Sequence, residues 1–271
     1  MKPGLFAPVR MTLYPLFQTA ALLALLLPTS CTQTPMESSA AVAAEQRTLD
    51  GQPSTTPDTS GYRLAAPQDP NGIGKYYQGR QIAHVMGHEG ADWLERNDRQ
   101  EEEGTDILLR ELQLKPTDVV ADIGAGTGYF SFRISPLVPK GKVLAVDIQP
   151  EMIKYLRDNK ERNKAPNVEP VLGTIRNPNL PASAVDLVLI VDAYHEFDHP
   201  REMLRGIKTA LRPGGRLALV EYRAEDPNVP IKRIHKMSEA QARKEVEFEG
   251  LEFVENRQTL PQQHLLIFRK K

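Results

Sequence analysis

Apolar segments alternate with amphipathic segments from about residue 100 onward, and this alternation restricts the possible folds more than any other feature. The segments "DVVADI", "KVLAVDI", "AVDLVLIVDA" and "GRLALVEY" are nearly continuous apolar runs. Strands of this kind are buried on both faces, as in parallel sheets that carry helices on either side. The segments between them repeat apolar residues at helical spacing, and right-handed crossovers join such units. The sequence therefore predicts a doubly wound α/β fold, with its sheet domain at residues 105–271.

The last two predicted strands break this alternation. "LEFVENRQTL" and "HLLIFRK" are separated only by "PQQ". A connection this short cannot carry the chain back to begin a parallel strand. We therefore expect the last strand to run antiparallel to its neighbours.

The first thirty residues have the layout of an export signal. Lys2 and Arg10 precede an apolar run that ends in "AALLALLLP", and the small residues of "PTSC" follow. The run is too short and too interrupted to predict a transmembrane helix. Residues 1–30 resemble a bacterial lipoprotein signal, which implies that Cys31 is lipidated and that the protein is exported or membrane-anchored. A true start at Met11 would instead leave the protein in the cytoplasm.

Two further segments are predicted between the signal and the sheet domain. Residues 31–72 are rich in Ser, Thr, Pro and Ala and almost free of large apolar residues. Such a segment cannot bury enough surface to offset its ordering entropy, so we expect a disordered linker. We expect residues 73–104 to form a helical extension that acts as a lid, with Tyr76, Tyr77, His84 and Trp93 as possible lid residues.

Charge and cysteine content narrow the range of partners. The formal net charge of −1 gives no electrostatic reason to expect nucleic acid as a partner. The single cysteine excludes an internal disulfide framework and a Cys-rich zinc site. Neither observation identifies a ligand, so the ligand must be inferred from motifs.

A glycine-rich turn follows the first strand of the sheet domain. Gly124, Gly126 and Gly128 are spaced G-x-G-x-G, and glycine lets the main chain approach a ligand closely. Tyr129 stands where a dinucleotide fingerprint needs Gly or Ala, and no phosphate-loop lysine follows the turn. Asp147 ends the next strand, where a carboxylate can accept hydrogen bonds from ribose hydroxyls. The spacing thus favours a ribose-bearing ligand other than a dinucleotide.

Four motifs together carry a family resemblance. "VVADIGAGTGYF", "VLAVDIQPEMI", "AVDLVLIVDAYHEFDHP" and "LRPGGRLALVEY" resemble the successive motifs of class I S-adenosylmethionine-dependent methyltransferases, in their usual order and spacing. The resemblance covers roughly residues 105 to 270. It implies a Rossmann-like seven-stranded sheet with an antiparallel last strand, and S-adenosyl-L-methionine as the cofactor.

The resemblance also assigns residues to parts of the cofactor. It places the methionine moiety against Asp122 and the glycine turn, and the ribose on Asp147. It places the adenine near Ile148 and Thr174, and Asp192 beside the sulfonium. The predicted cofactor-binding residues are therefore Asp122, Gly124, Gly126, Gly128, Asp147, Ile148, Thr174 and Asp192.

The segment "DAYHEF" follows the fourth strand of the sheet domain and is predicted to face the methyl acceptor. Its candidate catalytic residues are Tyr194, His195 and Glu196. His195 is the preferred general base, because the unperturbed pKa of histidine is close to neutral. The resemblance leaves open an alternative in which His195 only shapes the pocket wall.

Two pairs of histidines are spaced four residues apart, a spacing that can bind zinc on a helix. They are His84 with His88 and His195 with His199. The glycines of "HVMGHEG" and the turn in "FDHP" do not favour a helix at either place. We therefore expect no metal site.

The motifs together predict an S-adenosylmethionine-dependent methyltransferase that acts on a small-molecule acceptor. The alternative is an exported accessory lipoprotein that keeps the fold without turnover. The predicted signal prompts this alternative, because the cofactor is made and used in the cytoplasm.

Overall fold

The computed structural model describes residues 60–271 of the chain. The predicted signal at residues 1–30, the lipidation site Cys31 and most of the predicted linker lie outside the described residues. Within residues 60–271, no helix combines the length and the apolar character needed to span a membrane.

The described residues form two sheets, with the helices mainly around the larger one. The strands are β1 (Tyr62–Leu64), β2 (Gly72–Tyr77), β3 (Arg80–Ala83), β4 (Val119–Ile123), β5 (Lys142–Asp147), β6 (Val168–Leu172), β7 (Val185–Val191), β8 (Leu211–Tyr222), β9 (Glu252–Asn256) and β10 (Gln263–Arg269). The helices are α1 (Ala91–Leu94), α2 (Arg99–Glu103), α3 (Thr105–Glu111), α4 (Tyr129–Ile134), α5 (Pro150–Arg162), α6 (Pro200–Ala210) and α7 (Glu239–Phe248).

The larger sheet has seven strands in the order β6-β5-β4-β7-β8-β10-β9. Strands β4 to β8 pair in parallel, whereas β10 runs antiparallel to both β8 and β9. The predicted doubly wound α/β fold with an antiparallel last strand is therefore confirmed. The strand order reverses between β4 and β7, and ligands of such sheets bind at this switch point.

Strand β7 shows why a continuous apolar run is needed at the centre of this sheet. Leu187 and Leu189 pack in the core layer that contains α4 and α5. Val188 and Ile190 point to the opposite layer, which contains α6 and α7. Successive side chains of a strand alternate between faces, so the central residues of a strand that is covered on both sides are apolar at consecutive positions.

The smaller sheet corrects the prediction for the N-terminal segments. Strands β1 to β3 pair in antiparallel order, so the disordered linker does not extend to residue 72, and the extension is not wholly helical. Gln78 and Gly79 both have positive φ and form the two-residue turn between β2 and β3. Hairpin turns of this kind favour Asn-Gly or Asp-Gly, and glutamine at the first position weakens the signal in the sequence.

Candidate active site

A cavity of about 1040 Å³ lies at the carboxyl ends of β4, β5 and β7. Residues of the extension and of the loop after β8 line its other walls. The cavity stands at the point where the strand order reverses, which is the expected ligand site of the fold.

The glycine turn after β4 brings the main chain to this cavity. Gly124 and Gly126 line the cavity and have φ values of 78° and 55°, a region that other residues rarely adopt. A Cβ on Gly124 would lie 2.7 Å from Cβ of Ala193. Gly128 does not line the cavity, and its expected cofactor contact stays a prediction. A Cβ there would collide with the ring of Phe132 as α4 begins.

Asp147 lines the cavity at the end of β5 and is tied to the glycine turn. One carboxylate oxygen accepts a hydrogen bond from the N–H of Gly126 at 3.0 Å, and the other accepts from the N–H of Gln149 at 2.9 Å. Burial raises the pKa of Asp147, and backbone N–H donors limit the rise. Ile148 lines the cavity beside it. The turn and the carboxylate are thus held in one arrangement.

Asp122 lies beneath the turn and does not line the large cavity, and its expected contact with the methionine moiety stays a prediction. It borders a small separate cavity, and its carboxylate accepts a hydrogen bond from the hydroxyl of Ser131 at 2.6 Å. Burial raises the pKa of Asp122 to about 6, against the effects of Ser131 and Arg99. Asp122 therefore links β4 to α4.

Asp192 lines the cavity at the end of β7 and adopts a positive φ of 49°. One of its carboxylate oxygens accepts a hydrogen bond from the side chain of Gln263 at 2.6 Å. The other oxygen is buried and has no partner among the described residues. Burial first, and then the charges of Glu103 and Glu221, raise the pKa of Asp192 well above its ordinary value.

Thr174 also lines the cavity, but its hydroxyl serves its own loop. The oxygen accepts hydrogen bonds from the N–H groups of Arg176 and Asn177 at 3.2 and 2.9 Å. These contacts stabilise the turn after β6. The adenine contact expected of Thr174 stays a prediction.

Tyr194 does not face the acceptor pocket, which corrects the prediction from "DAYHEF". Its ring is fully buried in the core layer of α6 and α7, and its hydroxyl donates to Glu245 at 2.9 Å. The short 3-10 turn Tyr194–Glu196 directs successive side chains to different sides. His195 and Glu196 line the cavity instead.

His195 lies at the centre of a buried polar cluster. Its Nδ1 is 2.6 Å from a carboxylate oxygen of Glu221, and its Nε2 is 3.0 Å from Nδ1 of His235. Glu196 accepts a hydrogen bond from the N–H of Met86 at 3.0 Å. A carboxylate beside Nδ1 favours the tautomer with the proton on that nitrogen, and so leaves the lone pair on Nε2.

The pKa values in this cluster shift with burial and charge. Burial alone would lower the pKa of His195, but the carboxylates of Glu221 and Glu196 outweigh it, and the pKa is raised. Burial raises the pKa of Glu196. Burial and the neighbouring His195 lower the pKa of His235 to about 4. His235 is therefore neutral at physiological pH.

The sequence gives weak signals for several of these residues. His235 belongs to the loop "RAEDPNVPIKRIHKM", which the sequence predicts to face the substrate without indicating which of its residues do so. Glu221 is the next-to-last residue of β8, and nothing in the sequence around it indicates a bond to His195. Only the tertiary structure brings the two side chains to the same histidine.

The extension covers the cavity, as a lid would. His84 and Trp93 line it, whereas Tyr76 and Tyr77 are buried elsewhere. A Cβ on Gly126 would lie 2.6 Å from Cδ1 of Leu94, so α1 packs directly on the glycine turn.

The residues present fit the cofactor that the motifs imply. S-adenosylmethionine carries a positive sulfonium and a ribose with two hydroxyls. Asp192 offers a buried oxygen without a partner in the described part of the chain, and Asp147 offers a carboxylate at the cavity wall. Gly124 and Gly126 leave the main chain open to the cavity because they lack a side chain.

Comparison with known proteins gives a family and several relatives. A family described as a methyltransferase domain matches residues 114–264, more than half of the chain. An uncharacterized methyltransferase-like protein of Schizosaccharomyces pombe is 36% identical over 134 residues, which are 49% of either chain. A ubiquinone/menaquinone biosynthesis C-methyltransferase of Pseudomonas putida is 35% identical over 105 residues, 38% of this chain and 41% of that protein.

The chain spans at most about half the length of these curated relatives. Among solved structures, a SAM-dependent methyltransferase from Aquifex aeolicus aligns with a TM-score of 0.65 at 23% identity. The alignment covers 69% of this chain and 100% of that one, and at this identity it shows the shared fold. The chain belongs to the methyltransferase-domain family, and its fold and family imply S-adenosylmethionine as the cofactor.

Proposed function

We propose that the protein transfers the methyl group of S-adenosylmethionine to a small-molecule acceptor. The observation that carries this proposal is one continuous cavity with two chemically different ends. One end, the cofactor end, is formed by Gly124, Gly126, Asp147 and Ile148. The other, the acceptor end, is formed by His195, Glu196 and His235. A cofactor and an acceptor can thus meet inside the cavity.

At the cofactor end, the ribose hydroxyls would bind Asp147 and the sulfonium would lie near Asp192. When bound, the cofactor would supply an activated methyl group for transfer to the acceptor, with S-adenosylhomocysteine as the other product. The task of the chain is then to hold the acceptor in line with the methyl group and to exclude water. The extension supports both tasks, since Trp93 and Leu94 cover the cavity.

At the acceptor end, His195 is positioned to accept a proton from the acceptor. Its Nδ1 lies 2.6 Å from a carboxylate oxygen of Glu221, and its Nε2 is on the side of His235. A general base must lie within hydrogen-bond reach of the proton that it removes. Glu196, anchored by the N–H of Met86, lies next to it and can orient the acceptor.

The relatives do not identify the acceptor. One is named an arsenite methyltransferase of Halobacterium salinarum, 34% identical over 39% of this chain and 27% of that protein. The single cysteine of this chain does not favour arsenic as the acceptor, because that chemistry uses several thiols. The alternative of a non-catalytic accessory protein is not favoured either, since both ends of the cavity are retained.

Formation of S-adenosylhomocysteine tests the proposal. The purified protein is incubated with S-adenosylmethionine and panels of hydroxyl, amine, thiol and carbon acceptors. We expect product only when cofactor and a suitable acceptor are both present. Asp147→Ala should abolish turnover at low cofactor concentration, whereas Asp158→Ala on the exposed face of α5 should not. Tight cofactor binding without turnover across the panels would instead support the accessory protein.

We also propose that residues 1–30 direct export and that Cys31 carries a lipid. This proposal rests on the sequence pattern "PTSC" after an apolar run. Cells that express the protein are labelled with a lipid precursor. We expect label in the wild type and none in Cys31→Ser, and label that persists in the variant would refute the site.

A further inference from the structure

Three side chains at the acceptor end converge on one point. Nε2 of His195 lies 3.0 Å from Nδ1 of His235 and 3.8 Å from Oε1 of Glu196, and the last two atoms are 3.9 Å apart. A point equidistant from the three atoms lies about 2.1 Å from each, which is the bond length from zinc to nitrogen or oxygen. Within residues 60–271, no other three His, Cys, Asp or Glu side chains converge in this way.

Two of these side chains are held in place by outer contacts of the kind that metal ligands have. A carboxylate of Glu221, itself fully buried, lies 2.6 Å from Nδ1 of His195. Metal-binding histidines almost always donate their other ring N–H to such a group. The N–H of Met86 donates to Oε2 of Glu196, which leaves Oε1 free. Two of the three donor atoms are therefore already held in place by outer contacts.

We infer that His195, Glu196 and His235 form a binding site for a divalent transition-metal ion. Two imidazoles and one carboxylate suit Zn²⁺ and its first-row neighbours, and they suit Mg²⁺ or Ca²⁺ poorly, since these prefer oxygen ligands. Three protein ligands leave at least one coordination position for another molecule, as in catalytic zinc sites. All three side chains line the cavity, so that position is accessible from it.

Charge at the acceptor end also favours a cation. Glu196 and Glu221 are 15% and 0% exposed, and they face the two imidazoles. Arg80, the cation that acts on His195, is already paired with Glu245 through two hydrogen bonds of 2.7 and 2.9 Å. A divalent ion would balance the two carboxylates within the cluster.

The ion would define the class of acceptor. A bound metal lowers the pKa of a hydroxyl that coordinates to it and so generates the nucleophile near neutral pH. In that state the metal would replace the lone pair of His195 as the means of activating the acceptor. This consequence rests on the proposed function and points to an acceptor with a hydroxyl or similar ligand group, whereas the metal site itself does not depend on it.

The spacing of histidines in the sequence did not predict this site. The pair His195 and His199 is four residues apart, but His199 lies beside Asp198 and not in the cluster. The second histidine of the site is His235, 40 residues beyond His195. The prediction of no metal site considered local spacing only.

Calorimetric titration of Zn²⁺ into the full chain tests the inference. The protein carries no histidine tag, is freed of metal with a chelator, and is titrated without cofactor or acceptor. We expect one ion per chain. Glu196→Gln and His235→Asn should each weaken binding by more than about 100-fold, because an outer-shell change alone costs about 10–100-fold. The matched control is His84→Asn, which makes the same change at a histidine that lines the cavity outside the cluster.

The outcomes separate the metal site from the proposed function. Zn²⁺ binding that is kept in His84→Asn and lost in the two cluster variants supports the site. No binding by the wild type, or equal binding by all variants, overturns it. Thermal unfolding without metal shows whether each variant is folded. If His235→Asn does not fold, the comparison is made with Glu196→Gln alone. S-adenosylmethionine binding is measured separately, so failure of the cofactor proposal leaves the zinc result interpretable.

Discussion

The two ends of the cavity are built in different ways. The cofactor end comes from the turns after two adjacent parallel strands, β4 and β5, and a direct hydrogen bond from Gly126 to Asp147 joins them. The acceptor end draws its side chains from the turn after β7, the end of β8 and the loop near His235. It also depends on the extension, because Arg80 of β3 donates a hydrogen bond to the carbonyl of His195 at 3.0 Å.

This difference separates what the fold supplies from what this chain adds. Parallel strands of a doubly wound sheet bring the cofactor end together by their register alone. The acceptor end requires packing of the extension and of a long loop onto the sheet. Changes that remove tertiary contacts should therefore disturb the acceptor end first, and changes in the glycine turn should disturb the cofactor end first.

The largest expected effect is on stability and comes from the contact between the extension and α7. Arg80→Met leaves Glu245 buried without its guanidinium partner, and breaking a buried pair in this way costs about 3–5 kcal/mol. Adding Glu245→Gln to this variant removes the unpaired charge and should recover part of the lost free energy of unfolding. Urea unfolding measures both variants.

The control for this change is an exposed ion pair. Lys142 and Glu169 are joined at 2.7 Å, with side chains 50% and 54% exposed. Lys142→Met should cost at most about 1 kcal/mol, because solvent screens such pairs. Equal losses for Arg80→Met and Lys142→Met would show that the extension is not held by the buried pair.

Asp122 gives the next largest effect, and it depends on pH. Its pKa is raised from 3.8 to about 6 in the folded protein, so the folded state binds the proton more tightly than the unfolded state. The stabilisation from the protonated form is complete below the unfolded pKa and is lost as pH rises through the folded pKa. Relative to Asp122→Asn, the wild type should lose about 2 kcal/mol between about pH 4 and pH 7.

Urea unfolding of both proteins across this pH range measures the difference. Asp158→Asn, an exposed change on α5, is the control and should follow the wild type at each pH. A difference between wild type and Asp122→Asn that stays constant with pH would mean that Asp122 titrates normally.

Asp147→Ala tests the cofactor end directly. Loss of charge-assisted hydrogen bonds to the ribose should weaken S-adenosylmethionine binding by about 1–3 kcal/mol. Asp158→Ala should bind as the wild type does. Calorimetry measures both, and unchanged affinity in Asp147→Ala would place the ribose elsewhere.

The smallest expected effect comes from replacing a glycine of the turn with alanine. It distinguishes a loss of stability caused by backbone strain from a loss of cofactor binding. Gly126 and Gly214 both have positive φ, at 55° and 76°, and a Cβ on Gly214 meets nothing within 4 Å. Alanine at either position should cost about 1–2 kcal/mol of stability from strain alone. Gly126→Ala should in addition weaken cofactor binding, because the new Cβ would press on Leu94 and move the turn. Equal cofactor affinity in both variants would contradict a role for the turn in binding.

The sequence predicted the sheet, and it indicated which residues meet at the glycine turn, because both depend on local patterns. Continuous apolar strands, the G-x-G-x-G spacing and the acid at the end of β5 are all visible within short windows. The same motif assigns Gly128 and Asp122 to the cofactor, but neither lines the large cavity and both contact α4, so this assignment stays a prediction. Motif membership alone does not distinguish contact from support.

The acceptor end could not be predicted in the same way. Tyr194 turns into the core because a 3-10 turn after β7 sends neighbouring side chains to different sides. Glu221 and His235 reach His195 from 26 and 40 residues away along the chain. No local pattern specifies such pairs, since their meeting depends on how the loop after β8 packs.

Calorimetry with S-adenosylmethionine tests the central claim most directly, namely that this cavity binds that cofactor. The wild-type chain is titrated with S-adenosylmethionine, S-adenosylhomocysteine and NAD under the same conditions. We predict one site per chain for the first two ligands and no measurable binding of NAD. Absence of S-adenosylmethionine binding at millimolar concentration, or tighter binding of NAD, would contradict it.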